Sequence, residues 1–266
     1  MSAPKILVLR APGINCERET LHALARAGGA PEFVHIRQLL EAPQQLDRFA
    51  ALAVPGGFAY GDDIASGRVL AQEIKHRLGD RLLQFVDRGG LVLGICNGFQ
   101  VLVRLGLLPG TQRRLLEEVT LTHNLSNHYE CRWVDLKTTR SRCVFLPPDL
   151  RLRWPAAHGE GRLIARDPAQ QQLLLDEGYA ALLYVDASGM ATERYPQNPN
   201  GAPLGIAGLT NHNGRVLGMM PHPDRSYLPT HMPDWRRTLL ERGSLPEDGD
   251  GMVVFRELVR TAAAEA

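Results

Sequence analysis

Short apolar runs alternate with amphipathic stretches through the first hundred residues. Lys5–Arg10 (Lys-Ile-Leu-Val-Leu-Arg) is almost continuously apolar, the pattern of a parallel strand buried on both faces. Gly13 and Asn15 interrupt it, and Leu21, Leu24 and Ala25 then recur at helical spacing within 16–27. Further strands are predicted at 33–36 and 50–54, the second ending at Pro55-Gly56-Gly57. Helices are predicted over 65–78 and 80–88, either side of Gly79 and closed by Gly89-Gly90. Leu91–Ile95 predicts a fourth buried strand, and 97–105 the helix that follows. Repeated β-α units with short connections predict an α/β fold built on a doubly wound parallel sheet. In such sheets functional groups gather in the loops beyond the carboxyl ends of the strands.

Beyond Leu108 the texture changes. The segments 129–137, 180–186, 204–209 and 214–220 read as strands with few helix signals between them, and 252–264 as a final helix. The segment 190–203 is a turn-rich loop carrying Pro196, Pro199 and Pro203. With no Ser/Gly-rich linker and no internal repeat, residues 1–266 read as a single domain.

Composition narrows the chemistry. The net charge is +1, so no strong field draws the chain to nucleic acid or to a membrane surface. No apolar run approaches the roughly 18 residues that span a bilayer, and the N-terminus has no signal-peptide pattern, so a cytoplasmic location is expected. Only three lysines occur, Lys5, Lys75 and Lys137, and none follows a glycine, so a Gly-Lys-Ser/Thr phosphate loop is absent. Cys16, Cys96, Cys131 and Cys143 form no CxxC pair, and no histidine pair has ligand spacing with a third ligand in sight. Neither a zinc site nor a disulfide framework is expected. Cys131 and Cys143 lie in strand-like runs and read as buried filler, while Cys16 opens a helix with no base near it in the sequence.

The most informative pentapeptide is Gly94-Ile95-Cys96-Asn97-Gly98, entered from a buried strand and left into a helix. This is the layout of a nucleophile elbow, in which a strained turn lifts one side chain above the sheet. A cysteine there meets the positive end of the helix dipole, which favours the thiolate. The N–H of Asn97 can point at an oxyanion, and the Gly56-Gly57 loop on a neighbouring strand end can aim the Gly57 N–H at the same oxygen. After the last strong strand comes Pro221-His222-Pro223-Asp224-Arg225. Flanking prolines favour extended backbone, so His222 and Asp224 face one way, and the carboxylate can orient the imidazole. His158, read as lying in a loop, is the main competitor as base; His22 and His76 sit in helical patterns.

With these motifs in place, the chain resembles the class I glutamine amidotransferases, in the branch that serves de novo purine biosynthesis. The resemblance covers nearly the whole chain. It rests on Pro12-Gly-Ile-Asn-Cys16 with Glu19-Thr20, Pro55-Gly-Gly-Phe-Ala-Tyr-Gly-Asp62, Gly94-Ile-Cys-Asn-Gly-Phe-Gln100, Tyr129-Glu-Cys-Arg-Trp-Val134, His158-Gly-Glu-Gly-Arg162 and Gly218-Met-Met-Pro-His-Pro-Asp-Arg225. It implies a flavodoxin-like, mostly parallel sheet flanked by helices, with extra antiparallel strands in the second half, and a C-terminal extension over about 226–266.

The resemblance also implies a chemistry. Cys96 attacks the side-chain amide of glutamine, His222 protonates the leaving ammonia and then activates water, and Asp224 orients His222. Gly57 and Asn97 stabilise the oxyanion, and Gln100, one helical turn beyond Cys96, helps to hold the substrate glutamine. No metal and no cofactor is implied for this chain. ATP and Mg²⁺ belong to a large synthetase subunit, which uses the ammonia to convert formylglycinamide ribonucleotide to its amidine, and the resemblance leaves open a small bridging subunit. One departure stands out: the family usually has Glu where this chain has Asp224, which is one methylene shorter. Two other readings remain at this point: a class I amidotransferase serving a different acceptor, and a non-catalytic flavodoxin-like relative in which Cys96 senses oxidants.

Overall fold

The computed structural model describes residues 3–112 and 114–265. Its first strands are β1 (Lys5–Arg10), β2 (Ala30–His35), β3 (Ala51–Val54) and β4 (Leu91–Ile95), joined by helices α1 (Glu17–Arg26), α2 (Ile36–Glu41) and α3 (Arg68–Asp87). After β4 come α4 (Asn97–Leu105), β5 (Val119–His123), β6 (Glu130–Thr138), β7 (Arg151–His158), β8 (Glu160–Ala165), α5 (Pro168–Asp176) and β9 (Ala180–Tyr184). β10 (Ile206–Thr210), β11 (Val216–Met219), α6 (Trp235–Arg242) and α7 (Met252–Ala264) complete the order. The main sheet runs β2-β1-β3-β4-β11-β10-β9-β6-β7, and β5 pairs with β8 in a separate ribbon. The first five strands are mutually parallel, and from β11 onward the sheet continues antiparallel. This is the flavodoxin-like arrangement with its antiparallel extension. The apolar runs are the strands: β3, β4, β10 and β11 are buried at every position, because helices cover both faces.

Several boundaries differ from the pattern reading, each for a local reason. The second strand ends at His35 and not at 36, because His35 caps a helix. Its Nδ1 accepts the Arg37 N–H at 3.2 Å, and Gln38 Oε1 accepts its N–H at 3.1 Å. The two helices predicted around Gly79 are one. Gly79 is buried on the same face as Leu78, Leu82 and Phe85, and packing of that face outweighs the roughly 1 kcal/mol that glycine costs a helix. The second half holds more structure than expected. β7 was hidden by Pro155 and runs along the sheet edge, where a missing donor is tolerated. Helix α5 starts at an Asp167 cap with Pro168 behind it.

Two cysteines also depart from expectation. Cys131 lies on β6 but is exposed, and Cys143 is buried but in a loop, where burial pushes its thiol up to about 12. None of the helices, over the described residues, is long and apolar enough to cross a membrane.

Candidate active site

The carboxyl ends of β3, β4 and β11 lie side by side, with Gly94 in register with Val54 and Gly218, and they deliver the three motifs to one place. At the end of β4, Cys96 takes φ 51° and ψ −107°, a conformation that costs an L-residue about 1–3 kcal/mol and persists only where surroundings impose it. The imposing contacts are clear. The Cys96 N–H donates to Met219 O at 2.7 Å, and α4 begins at Asn97. Gly98 comes so close to β3 that a Cβ there would lie 1.9 Å from Val54 O. Asn97 is the first residue of α4, so its N–H has no intrahelical acceptor and is available to an oxyanion. The Asn97 side chain fixes the neighbouring loop: Oδ1 accepts the Ala59 N–H and Nδ2 donates to Asp62 Oδ1, both at 2.9 Å.

His222 is buried, and its Nδ1 lies 3.1 Å from Oδ1 of the fully buried Asp224. The shorter carboxylate therefore reaches the ring directly. Burial opposes the imidazolium, but Asp224, Cys96 and the nearby Cys16 sulfur outweigh it, holding His222 well above the usual histidine range. His222 Nε2 and Asp224 Oδ2 are buried without a hydrogen-bond partner. Gly56 is where the two halves meet. A Cβ placed on it would lie 2.9 Å from His222 Cε1 and 3.5 Å from Cys96 Cβ, so the absence of a side chain lets the imidazole and Cys96 converge. Gly57 is joined to Ile14 by an isolated bridge that ties the loop after β3 to the loop after β1.

The strand segment 155–160 contributes more than its sequence suggested. Pro155 O accepts the His222 N–H at 2.7 Å, Ala157 O accepts the Cys96 thiol at 3.6 Å, and Glu160 O accepts Gln100 Nε2 at 2.7 Å. Gln100 Oε1 in turn accepts Asn97 Nδ2 at 2.9 Å, so both ends of that amide brace the wall of the site. His158 is the last residue of β7, not part of a loop, and burial and the neighbouring His222 push it down to about 4. Its partner is an amide, since Nδ1 faces Asn124 Oδ1 at 3.0 Å, whereas His222 has a carboxylate. Of the two, His222 alone has an arrangement that favours carrying a proton. His22 and His76 are exposed on α1 and α3.

The pattern missed Cys16 and Arg225. Cys16 precedes α1 and is fully buried, and Arg225 Nη2 donates to its sulfur at 2.9 Å. Cys16, His222 and Asp224 offer ligand atoms within 4.8 Å of one another, a donor set that suits a zinc ion. The Arg225 guanidinium already supplies positive charge to that cluster. No local signal announces it, because Arg225 and Cys16 are 209 residues apart.

The sequence model of a CobB/CobQ-like glutamine amidotransferase domain matches residues 3–260. Among curated proteins, the phosphoribosylformylglycinamidine synthase subunit PurQ of Dehalococcoides mccartyi is 42% identical over 263 residues, covering 98% of this chain and 99% of the relative. The phosphoribosylformylglycinamidine synthase of Drosophila melanogaster is 40% identical over 232 residues, which span 84% of this chain but 17% of that much longer protein. Among solved structures, a chain of PurLQS from Thermotoga maritima superposes with a TM-score of 0.71 at 29% identity, covering 97% of this chain and 98% of that one.

Proposed function

The chain belongs to the CobB/CobQ-like glutamine amidotransferase family, and we propose that it acts as the glutaminase subunit of phosphoribosylformylglycinamidine synthase. The observation that carries this reading is the strained Cys96 at the start of α4, facing a buried His222–Asp224 pair across Gly56. Cys96 Sγ, as thiolate, attacks the side-chain carbonyl carbon of glutamine. The carbonyl oxygen becomes an oxyanion between the N–H groups of Gly57 and Asn97, donors each worth about 3–4 kcal/mol of barrier. His222 gives its proton to the amide nitrogen, the C–N bond breaks, and ammonia leaves. His222, now neutral, takes a proton from water as the water attacks the thioester. Glutamate departs and the thiolate–imidazolium pair returns. Asp224 holds the imidazole through Nδ1, leaving Nε2 for these transfers. Gln100 contributes to the glutamine site through the Glu160 carbonyl that its amide donates to.

The ammonia goes to a large ATP-dependent synthetase subunit, which holds ATP and Mg²⁺ and converts formylglycinamide ribonucleotide to the amidine, in the cytoplasm. A small bridging subunit is compatible with the three-letter assembly named for the Thermotoga maritima relative. Residues 1–266 form one amidotransferase domain, with 226–266 as its C-terminal extension.

The test uses the assembled complex. Cys96→Ala should abolish amidine formation from glutamine while leaving formation from added ammonium salt intact. Glutamine-dependent turnover in that variant would overturn the reading. Failure of the cognate purine synthetase to respond, with glutaminase intact, would favour a different acceptor.

A further inference from the structure

The proposed reaction uses Cys96, His222 and Asp224 and leaves a second buried thiol beside them without a task. Cys16 sits at the mouth of α1 with no exposed surface, and its N–H donates to Gly56 O at 3.2 Å. Its sulfur donates to Asn15 Oδ1 at 3.3 Å and accepts Arg225 Nη2 at 2.9 Å. The point where a Cβ on Gly56 would stand is 3.4 Å from that sulfur and 2.9 Å from His222 Cε1, so thiol and imidazole border the same small space. A cysteine that merely fills a core needs none of this. A half-buried guanidinium spending an N–H on a sulfur is a directed contact between distant parts of the chain.

What the contact joins gives it meaning. Arg225 closes the short 3₁₀ turn Pro223–Arg225, whose first residues follow His222 and whose middle residue is Asp224. The turn has no side-chain cap. Its hold on the rest of the fold includes the Arg225–Cys16 bond, which reaches α1, and α1 packs against β1 and this turn. We propose that Cys16 is a positioning residue: with Arg225 it clamps the turn onto α1 and so keeps Asp224 and the His222 ring in register with Cys96. This rests on the glutaminase reading above. A displacement of about 1 Å in such a site is enough to cost up to a hundredfold in rate.

The experiment measures glutamine-dependent and ammonia-dependent amidine formation in the complex carrying Cys16→Ala, Cys16→Ser, Arg225→Met and the Cys16→Ala/Arg225→Met pair. For Cys16→Ala we expect kcat with glutamine to fall about tenfold with KM within twofold, while ammonia-dependent turnover persists. Cys16→Ser, whose oxygen can accept the guanidinium N–H, should recover most of the loss. Arg225→Met should match Cys16→Ala, and the double variant should be no worse than either, as expected of one shared contact. Unchanged kcat in Cys16→Ala, no recovery in Cys16→Ser, or additive losses in the double variant would each overturn the clamp. Absence of glutamine-dependent turnover in the unaltered complex would instead overturn the glutaminase reading beneath it.

Discussion

In the proposed cycle a proton held on His222 is spent first, and the neighbouring Asp224 carboxylate favours its being there. Burial alone would drive the imidazole neutral; the carboxylate at 3.1 Å, Cys96 and the Cys16 contact reverse that. The sign of the pH dependence follows. His222 is raised in the folded protein, so its charged form and the stability it brings are complete below the unfolded value of about 6.5. Both are lost as pH rises through the higher folded value. Asp224→Asn removes the charge and leaves burial less opposed, so the alkaline limb of the kcat/KM profile with glutamine should move to lower pH. An unmoved limb would remove Asp224 from its assigned role. His222 and Asp224 were legible as a pair because two residues in extended backbone share a face. The pattern could not show that the shorter Asp reaches the ring directly, nor that Arg225 bonds Cys16. The first depends on the His222 backbone being drawn onto Pro155 O, and the second on the closure of the whole fold.

At the level of elements, the site depends on how near β3 lets α4 approach. The β4–α4 elbow presses its backbone onto β3, and Gly98 occupies the closest point, facing Val54 O. Gly98→Ala would put a methyl group 1.9 Å from that oxygen, and β3 cannot yield without disturbing its ladder with β4, from which α4 leads off. The expected loss is about 3 kcal/mol or more, read as a lower urea midpoint. A midpoint within experimental error of the parent would show that the elbow is looser than its geometry. This element was legible because it is local: an apolar run, a Gly-x-Cys-x-Gly turn and a helical repeat follow within fifteen residues, 91–105. The β7–β8 segment was not, although its carbonyls receive Cys96, His222 and Gln100. Main-chain acceptors have no side-chain signature, and Pro155 argues against a strand unless the strand is known to lie at an edge.

Across the whole molecule, the two helices at the C-terminal end carry unequal weight. One hydrophobic core runs from β1 to α7 and includes Met252, Val254, Phe255 and Leu258, whereas α6 buries none of its residues. The chain leading into α7 also secures the segment after the Pro223–Arg225 turn: the N–H groups of Gly249 and Gly251 donate to Tyr227 O at 2.9 Å and Ser226 O at 3.0 Å. α7 itself packs on α1, the helix that Cys16 opens. The 226–266 segment, expected from the family resemblance to be an extension, therefore contains a surface piece and a piece of the core. Phe255→Ala should cost about 3–5 kcal/mol through the cavity it leaves, while Leu240→Ala, at a position 86% exposed, should change stability by no more than about 0.5 kcal/mol. Urea unfolding of the two variants, followed in parallel with glutamine-dependent activity, measures the contrast. Phe255→Ala should lose activity at the denaturant concentration where its fold is lost, because the support for Ser226 and Tyr227 goes with α7. Equal midpoints for the two variants would mean that α7 is as dispensable as α6.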